Sequence, residues 1–288
     1  MSRAVRIAAR WYSSQSTTQT VATGTSTPVT PWPRHACPTA RVVYARAVDE
    51  SLRRLWDFAD AAGSEARFRE AARQAAAPGI AMTQVARALG LQRRFDEADA
   101  VLDGLPQTDP EVVVRVGLER GRIARDCGQP DVAREHFESA IARARSNGLD
   151  EPLVDGLHML ALVSDGSERD DLHHQALELA HASADPAARR WEASILNNMG
   201  VDRADAGDFA GALELFEAAL AARRTDGSDL SRVGVARWMV AWALRNLGRT
   251  AEALEWQRDL KADLLAGGLS DPYVDEEIAI LESNGSPS

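Results

Sequence analysis

The residues best suited to chemistry lie in Asp170-Asp171-Leu172-His173-His174, with Glu178 one turn on. At i, i+4 spacing His174 and Glu178 share a helix face, where an imidazole and a carboxylate could ligate a metal ion. The competing reading is a solvated helix start with His173 filling a wedge between helices, and it asks less of the sequence. His158 stands alone, either a ligand contact or a polar surface residue. The chain has no phosphate-cradling glycine loop, no Gly-x-Ser-x-Gly, no Cys-x-x-Cys pair and no His-Glu-x-x-His helix. Its many acids offer no pair marked as general acid and base. No catalytic residue, metal ligand or cofactor is therefore assigned, and the expectation is a protein that is not an enzyme.

Composition narrows the class further. The 288 residues are 45% hydrophobic and 6% aromatic, dominated by alanine and leucine, which favours helix over sheet. Cys37 and Cys127 are too far apart in sequence to suggest a disulfide framework. No acid precedes Asp49, whereas six arginines do; of the 33 basic and 43 acidic residues, 27 and 43 remain beyond that point, a formal −16. So acidic a body argues against nucleic-acid binding, which relies on neutralising phosphates. No apolar run is long enough to cross a bilayer, and a cytoplasmic location is expected. Lys261 is the only lysine against 32 arginines, a bias that suggests a GC-rich, bacterial genome.

Residues 1–41 stand apart as an N-terminal extension rich in Ser, Thr and Pro, expected to be disordered. A targeting segment, a mis-assigned start and a functional arm all fit it. Residues 42–77 read as a helical pair around Leu52, Leu55, Phe58 and Phe68.

Beyond that, short amphipathic helices recur. From Gly200, small residues fall at +12 (Ala212) and +19 (Ala219), an aromatic at +16 (Phe216) and a turn glycine at +7 (Gly207). The same offsets from Gly121 give Ala133, Ala140, Phe137 and Gly128. Small residues let two antiparallel backbones approach, and the phenylalanine fills the wedge beside them. Weaker copies begin from Ala86, Leu157 and Ala241, so the period varies from 35 to 43. Asp109-Pro110, Asp185-Pro186 and Asp271-Pro272, with Asp150-Glu151-Pro152 as a near variant, mark helix starts by capping free amides or removing them.

This pattern resembles the tetratricopeptide-repeat family over roughly residues 80–266. The resemblance implies an all-α fold, a right-handed solenoid of tandem antiparallel helix pairs, with about five repeats over 78–270 and a capping helix over 271–283. It also implies a concave groove lined by the first helix of each pair. Carried over by the same offsets, the inward positions are Thr83, Gln84, Arg87, Arg115, Leu118, Arg122, Arg125, His158, Asn197, Asn198, Val201, Trp238, Trp242 and Arg245.

Among these, Arg87, Arg115, Arg122 and Arg125 would form a basic stripe suited to an acidic peptide or a C-terminus, unless neighbouring acids such as Glu119 and Asp126 neutralise it. Asn197 and Asn198 would bond a peptide backbone. Trp238 and Trp242 would anchor an apolar side chain or pack beneath the terminal helix. The two-Lys, Asn and Arg clamp of the family's chaperone-tail-binding members is not reproduced. The expected function is a non-enzymatic module that holds a peptide or partner protein. A peptide-sensing regulator and a helical enzyme using Asp170–Glu178 are the alternatives.

Overall fold

The structure is a computed structural model that describes residues 51–58 and 60–284. The extension expected to be disordered, 1–41, lies outside these residues, as does the start of the expected 42–77 pair. Among the described residues there are 13 helices and no strand: the fold is an all-α solenoid. The chain divides between Leu105 and Pro106 into two compact units, a boundary inside the array expected over 78–270.

The unit before the boundary holds α1 (Ala61–Gln74), α2 (Gly79–Leu91) and α3 (Phe95–Asp103). Phe68, Val85, Leu89, Ala98 and Leu102 are its wholly buried centre. Glu65 is buried at its edge, where Arg69 and Arg94 donate to it at 2.8 Å and Gln92 at 3.0 Å. Burial alone would raise its pKa, but those donors and the two guanidinium charges together lower it.

The unit after the boundary runs α4 (Pro110–Asp126), α5 (Pro130–Ser146), α6 (Asp150–Ala161), α7 (Gly166–Ala182), the single turn α8 (Pro186–Arg189), α9 (Glu192–Asp205), α10 (Phe209–Thr225), α11 (Leu230–Asn246), α12 (Thr250–Ala266) and α13 (Pro272–Asn284). Each long helix packs on the next, with α9 meeting α7 past the single turn α8, and α4 also touches α6. Asp109, Asp185 and Asp271 accept from the amides of Glu111, Ala187 and Tyr273 at 2.8–2.9 Å, as the Asp-Pro signals require. Asp150 departs from the pattern: it lies inside α6, caps nothing, and accepts instead from Ser183 Oγ at 2.6 Å.

The repeat offsets translate directly into packing. A Cβ on Gly121 would fall 2.3 Å from Phe137 Cε1, and one on Gly200 2.5 Å from Phe216 Cε1. Each ring therefore sits in the space that the glycine leaves. In the pair that starts from Leu157 the closest approach is one residue earlier, where a Cβ on Gly156 would meet Ile141 at 2.8 Å. The turn glycines Gly128 and Gly207 have φ of 76° and 84°. In α2–α3 the equivalent turn is made by Arg93 at φ 60°.

The wedge position takes unlike residues. Sixteen positions after each reference residue stand Leu102, Phe137, His173, Phe216 and Gln257, all at 0–1% exposure. The Gln257 amide and both ring nitrogens of His173 find no hydrogen-bond partner among the described residues.

Candidate partner-binding face

Helices α4, α6, α9 and α11 are the first members of their pairs and carry most of the expected groove residues. On α4, Arg115 is 7% exposed and donates to Glu111 at 3.0 Å and to Glu151 of α6 at 2.8 Å. The other oxygen of Glu151 accepts from the Trp191 indole at 3.1 Å, so one carboxylate ties α4, α6 and the start of α9 together. Arg122, also 7% exposed, donates to Glu119 at 2.7 Å and to Asp155 of α6. Burial opposes its charge, but Asp155 and Glu119 outweigh that and raise its pKa. The expected basic stripe is thus ion-paired along α4. Arginine's planar fork suits it to sit between two carboxylates, one from α4 itself and one from the next helix pair.

Arg125 is different. Its side chain is 31% exposed, with Nε donating to Asp126 at 2.9 Å and Nη1 reaching Met159 Sδ at 3.6 Å. Arg87 belongs to the unit before Leu105, where its guanidinium lies 5.9 Å from the centroid of Trp56. The Trp56 indole in turn donates to Gln84 at 3.0 Å.

On α6, His158 is 4% exposed and accepts from Asn198 Nδ2 of α9 at 3.2 Å. Its ring lies 5.4 Å from that of Trp191 and 6.0 Å from that of His173. Burial, reinforced by the His173 imidazole and opposed by Asp155, pushes its pKa down to about 3. His158 is therefore a neutral interior residue and not an exposed contact. Asn197 and Asn198 are both half-buried.

On α11 the two tryptophans part company. Trp238 is 3% exposed, with its indole N–H 3.5 Å from the Tyr273 carbonyl of α13, so it packs beneath the terminal helix. Trp242 is half-buried and lies edge-on to Phe209 at 5.7 Å and Phe216 at 6.5 Å. Arg245 is paired at 2.6 Å with Glu277 of α13, itself 4% exposed.

The Asp170–Glu178 segment does not assemble a site. His174 is exposed and its Nδ1 bonds the Asp170 carbonyl at 2.7 Å, while His173 points into the core. Among the described residues no group of three His, Cys, Asp or Glu side chains could hold a metal ion.

Comparison with known proteins bears on what such an array is. The family model described as tetratricopeptide repeat matches residues 191–261, the stretch from Trp191 through α9, α10 and α11 into α12. That stretch carries tetratricopeptide repeats. Among solved structures it is similar to BtubC (BKLC) from P. vanneervenii, at 18% identity and TM-score 0.51, over 84% of this chain and 94% of that one. It also matches a putative kinesin light chain with nearly identical TPR-like repeats from Podosopora anserina, at 17% identity and TM-score 0.45, over 72% of this chain and 96% of that one. No curated protein matches the sequence. At such identities the likeness to BtubC speaks for the fold alone. Tetratricopeptide repeats are generally protein-interaction modules and typically non-enzymatic. Among the described residues no helix is long and apolar enough to cross a membrane.

Proposed function

We propose that this tetratricopeptide-repeat chain is a non-enzymatic, cytoplasmic module that holds a peptide segment of a partner protein along α4, α6, α9 and α11. The observation that carries this reading is the sorting of polar and aromatic side chains on those helices. Arg115, Arg122, His158 and Trp238 are consumed inside the array, whereas Arg125, Asn197, Asn198, Trp242 and Arg245 keep partial exposure. An amide pair suits a peptide backbone, a guanidinium suits a carboxylate, and an aromatic edge suits an apolar side chain. With Arg115 and Arg122 each held between two carboxylates, selectivity for an acidic segment or a C-terminus rests on Arg125.

Site-specific photocrosslinking tests the reading. A photoreactive residue placed at Arg125 or Asn197 should capture a partner in cells, and one placed at the exposed Glu138 of the second helix α5 should not. Capture from Glu138 with none from the first-helix positions would move the partner to the other side of the array and defeat the proposal.

A further inference from the structure

The two buried imidazoles have no role in that reading, and their surroundings give them one. His173 of α7 occupies the wedge that phenylalanine fills in the pairs on either side, and is 1% exposed. His158 of α6 lies 6.0 Å away, ring to ring. Neither ring nitrogen of His173 has a hydrogen-bond partner among the described residues, and neither does Nδ1 of His158. The third helix at this meeting point is α9, which supplies Asn198 and Asp202.

A proton has no good place here. His158 Nε2 accepts from the Asn198 amide, so protonation would set a donor against a donor unless that amide turned over. The charged groups around the pair come from four helices. Arg122 and Arg125 of α4 oppose a charge on His158, and Asp155 of α6 favours it. Arg169 and His174 of α7 oppose a charge on His173, and Asp170 favours it. Asp202 of α9 is the nearest acid, with Oδ2 3.5 Å from His173 Nδ1, but its other oxygen is bound by Arg169 at 3.0 Å. Burial also raises the pKa of Asp202 itself.

We propose that His158 and His173 make the junction between the α6–α7 pair and α9 acid-sensitive, loosening it when either takes up a proton while the adjoining pairs stay packed. The pKa values agree in sign. Burial, with the cationic neighbours, holds the folded values at about 3 and about 4. Below the ordinary value of 6.5 an opened junction therefore binds protons that the closed one refuses, and opening gains as pH falls. The window from pH 6.5 to about 5 lies above most carboxylate titration.

Amide hydrogen exchange on the full chain, corrected for intrinsic rates, reads the effect helix by helix. Between pH 7.5 and 5.5 the opening constant of α6, α7 and α9 should rise about tenfold for each histidine exposed, about a hundredfold for the pair, with α11 and α12 unchanged. His173→Phe, which installs the neighbouring pairs' wedge residue, should remove one tenfold factor, and adding His158→Gln should remove the other. A rise shared equally by all helices, or one that survives in the double variant, overturns the proposal. Should the variants fail to fold, the imidazole resonances of the unaltered protein decide. Neither His158 nor His173 should titrate above pH 5 in the folded chain, and an ordinary midpoint for either would end the idea.

Discussion

Arg122 of α4 and Asp155 of α6 are joined across 33 positions of sequence, guanidinium to carboxylate, with side chains only 9% and 4% exposed. A buried charge left without its partner is far more costly than the pair is beneficial. Arg122→Ala strands Asp155 and Glu119 together, and should lower stability by about 3–5 kcal/mol. Arg122→Met combined with Asp155→Leu should cost less than Arg122→Ala, because it strands Glu119 alone. Urea unfolding of the three chains checks this, and a double variant no more stable than Arg122→Ala would show that the stranded Asp155 is not the source of the loss.

The glycines at the centre of the two best repeats make a steric prediction. Gly121→Ala and Gly200→Ala each drive a methyl into a phenylalanine ring that has no empty side to move to. Each should destabilise by about 1–3 kcal/mol. Trimming the ring in the same pair, as Phe216→Leu with Gly200→Ala, should recover part of the loss beyond what Phe216→Leu alone predicts. Thermal melts of the single and paired variants measure it.

At Arg93 the prediction runs the other way. This exposed residue holds a left-handed turn, φ 60°, that its counterparts assign to glycine. Arg93→Gly relieves a conformation costing about 1–2 kcal/mol for an L-residue, less the backbone entropy glycine brings to the unfolded chain. It also gives up the contact of the guanidinium with the Phe95 ring at 5.5 Å. A net gain of about 0.5–1 kcal/mol in denaturant unfolding is expected.

Asp271 gives a prediction in pH. Burial raises its pKa above 3.8, against the lowering effect of its bonds to the Tyr273 and Val274 amides. A carboxyl whose folded pKa is raised favours folding most when protonated and loses that contribution as pH climbs through the folded value. Asn caps as well as Asp and carries no charge. Asp271→Asn should therefore be more stable than the native chain at pH 7, with the advantage shrinking as pH falls towards 3.8. Asp271→Ala, which keeps no cap, should lose about 1 kcal/mol. Stability curves from pH 7 down to pH 3.8 give the slope.

What the sequence revealed of the fold came from steric rules that repeat. Gly121 with Phe137, Gly200 with Phe216 and the aspartates ahead of Pro110, Pro186 and Pro272 are each readable because one local geometry admits few residue types. The candidate face was less readable, since an offset assigns a side chain to a side of its helix without saying what already stands there. Arg115 and Arg122 are on the expected helix, and each is taken up by one carboxylate of that helix and one a helix pair further on. That signal was present in the chain. Arg115 to Glu151, Arg122 to Asp155, Arg134 to Glu168 and Arg169 to Asp202 are separated by 36, 33, 34 and 33 positions, close to the shorter repeat spacings. In these four cases the acid that takes up the arginine follows it at that spacing. For Trp238 and Trp242 no such rule exists: which of two ring faces is covered depends on where α13 comes to rest.

The contacts between successive first helices differ in kind. Arginine and carboxylate join α4 to α6, histidine and asparagine join α6 to α9, and an indole with an arginine–glutamate pair joins α11 to α13. These three junctions therefore use contacts of different chemistry. Exchanging the pairs at these junctions would set a guanidinium against an amide or an imidazole against an indole, so at these places the order of the pairs is favoured by chemistry as well as by chain connectivity.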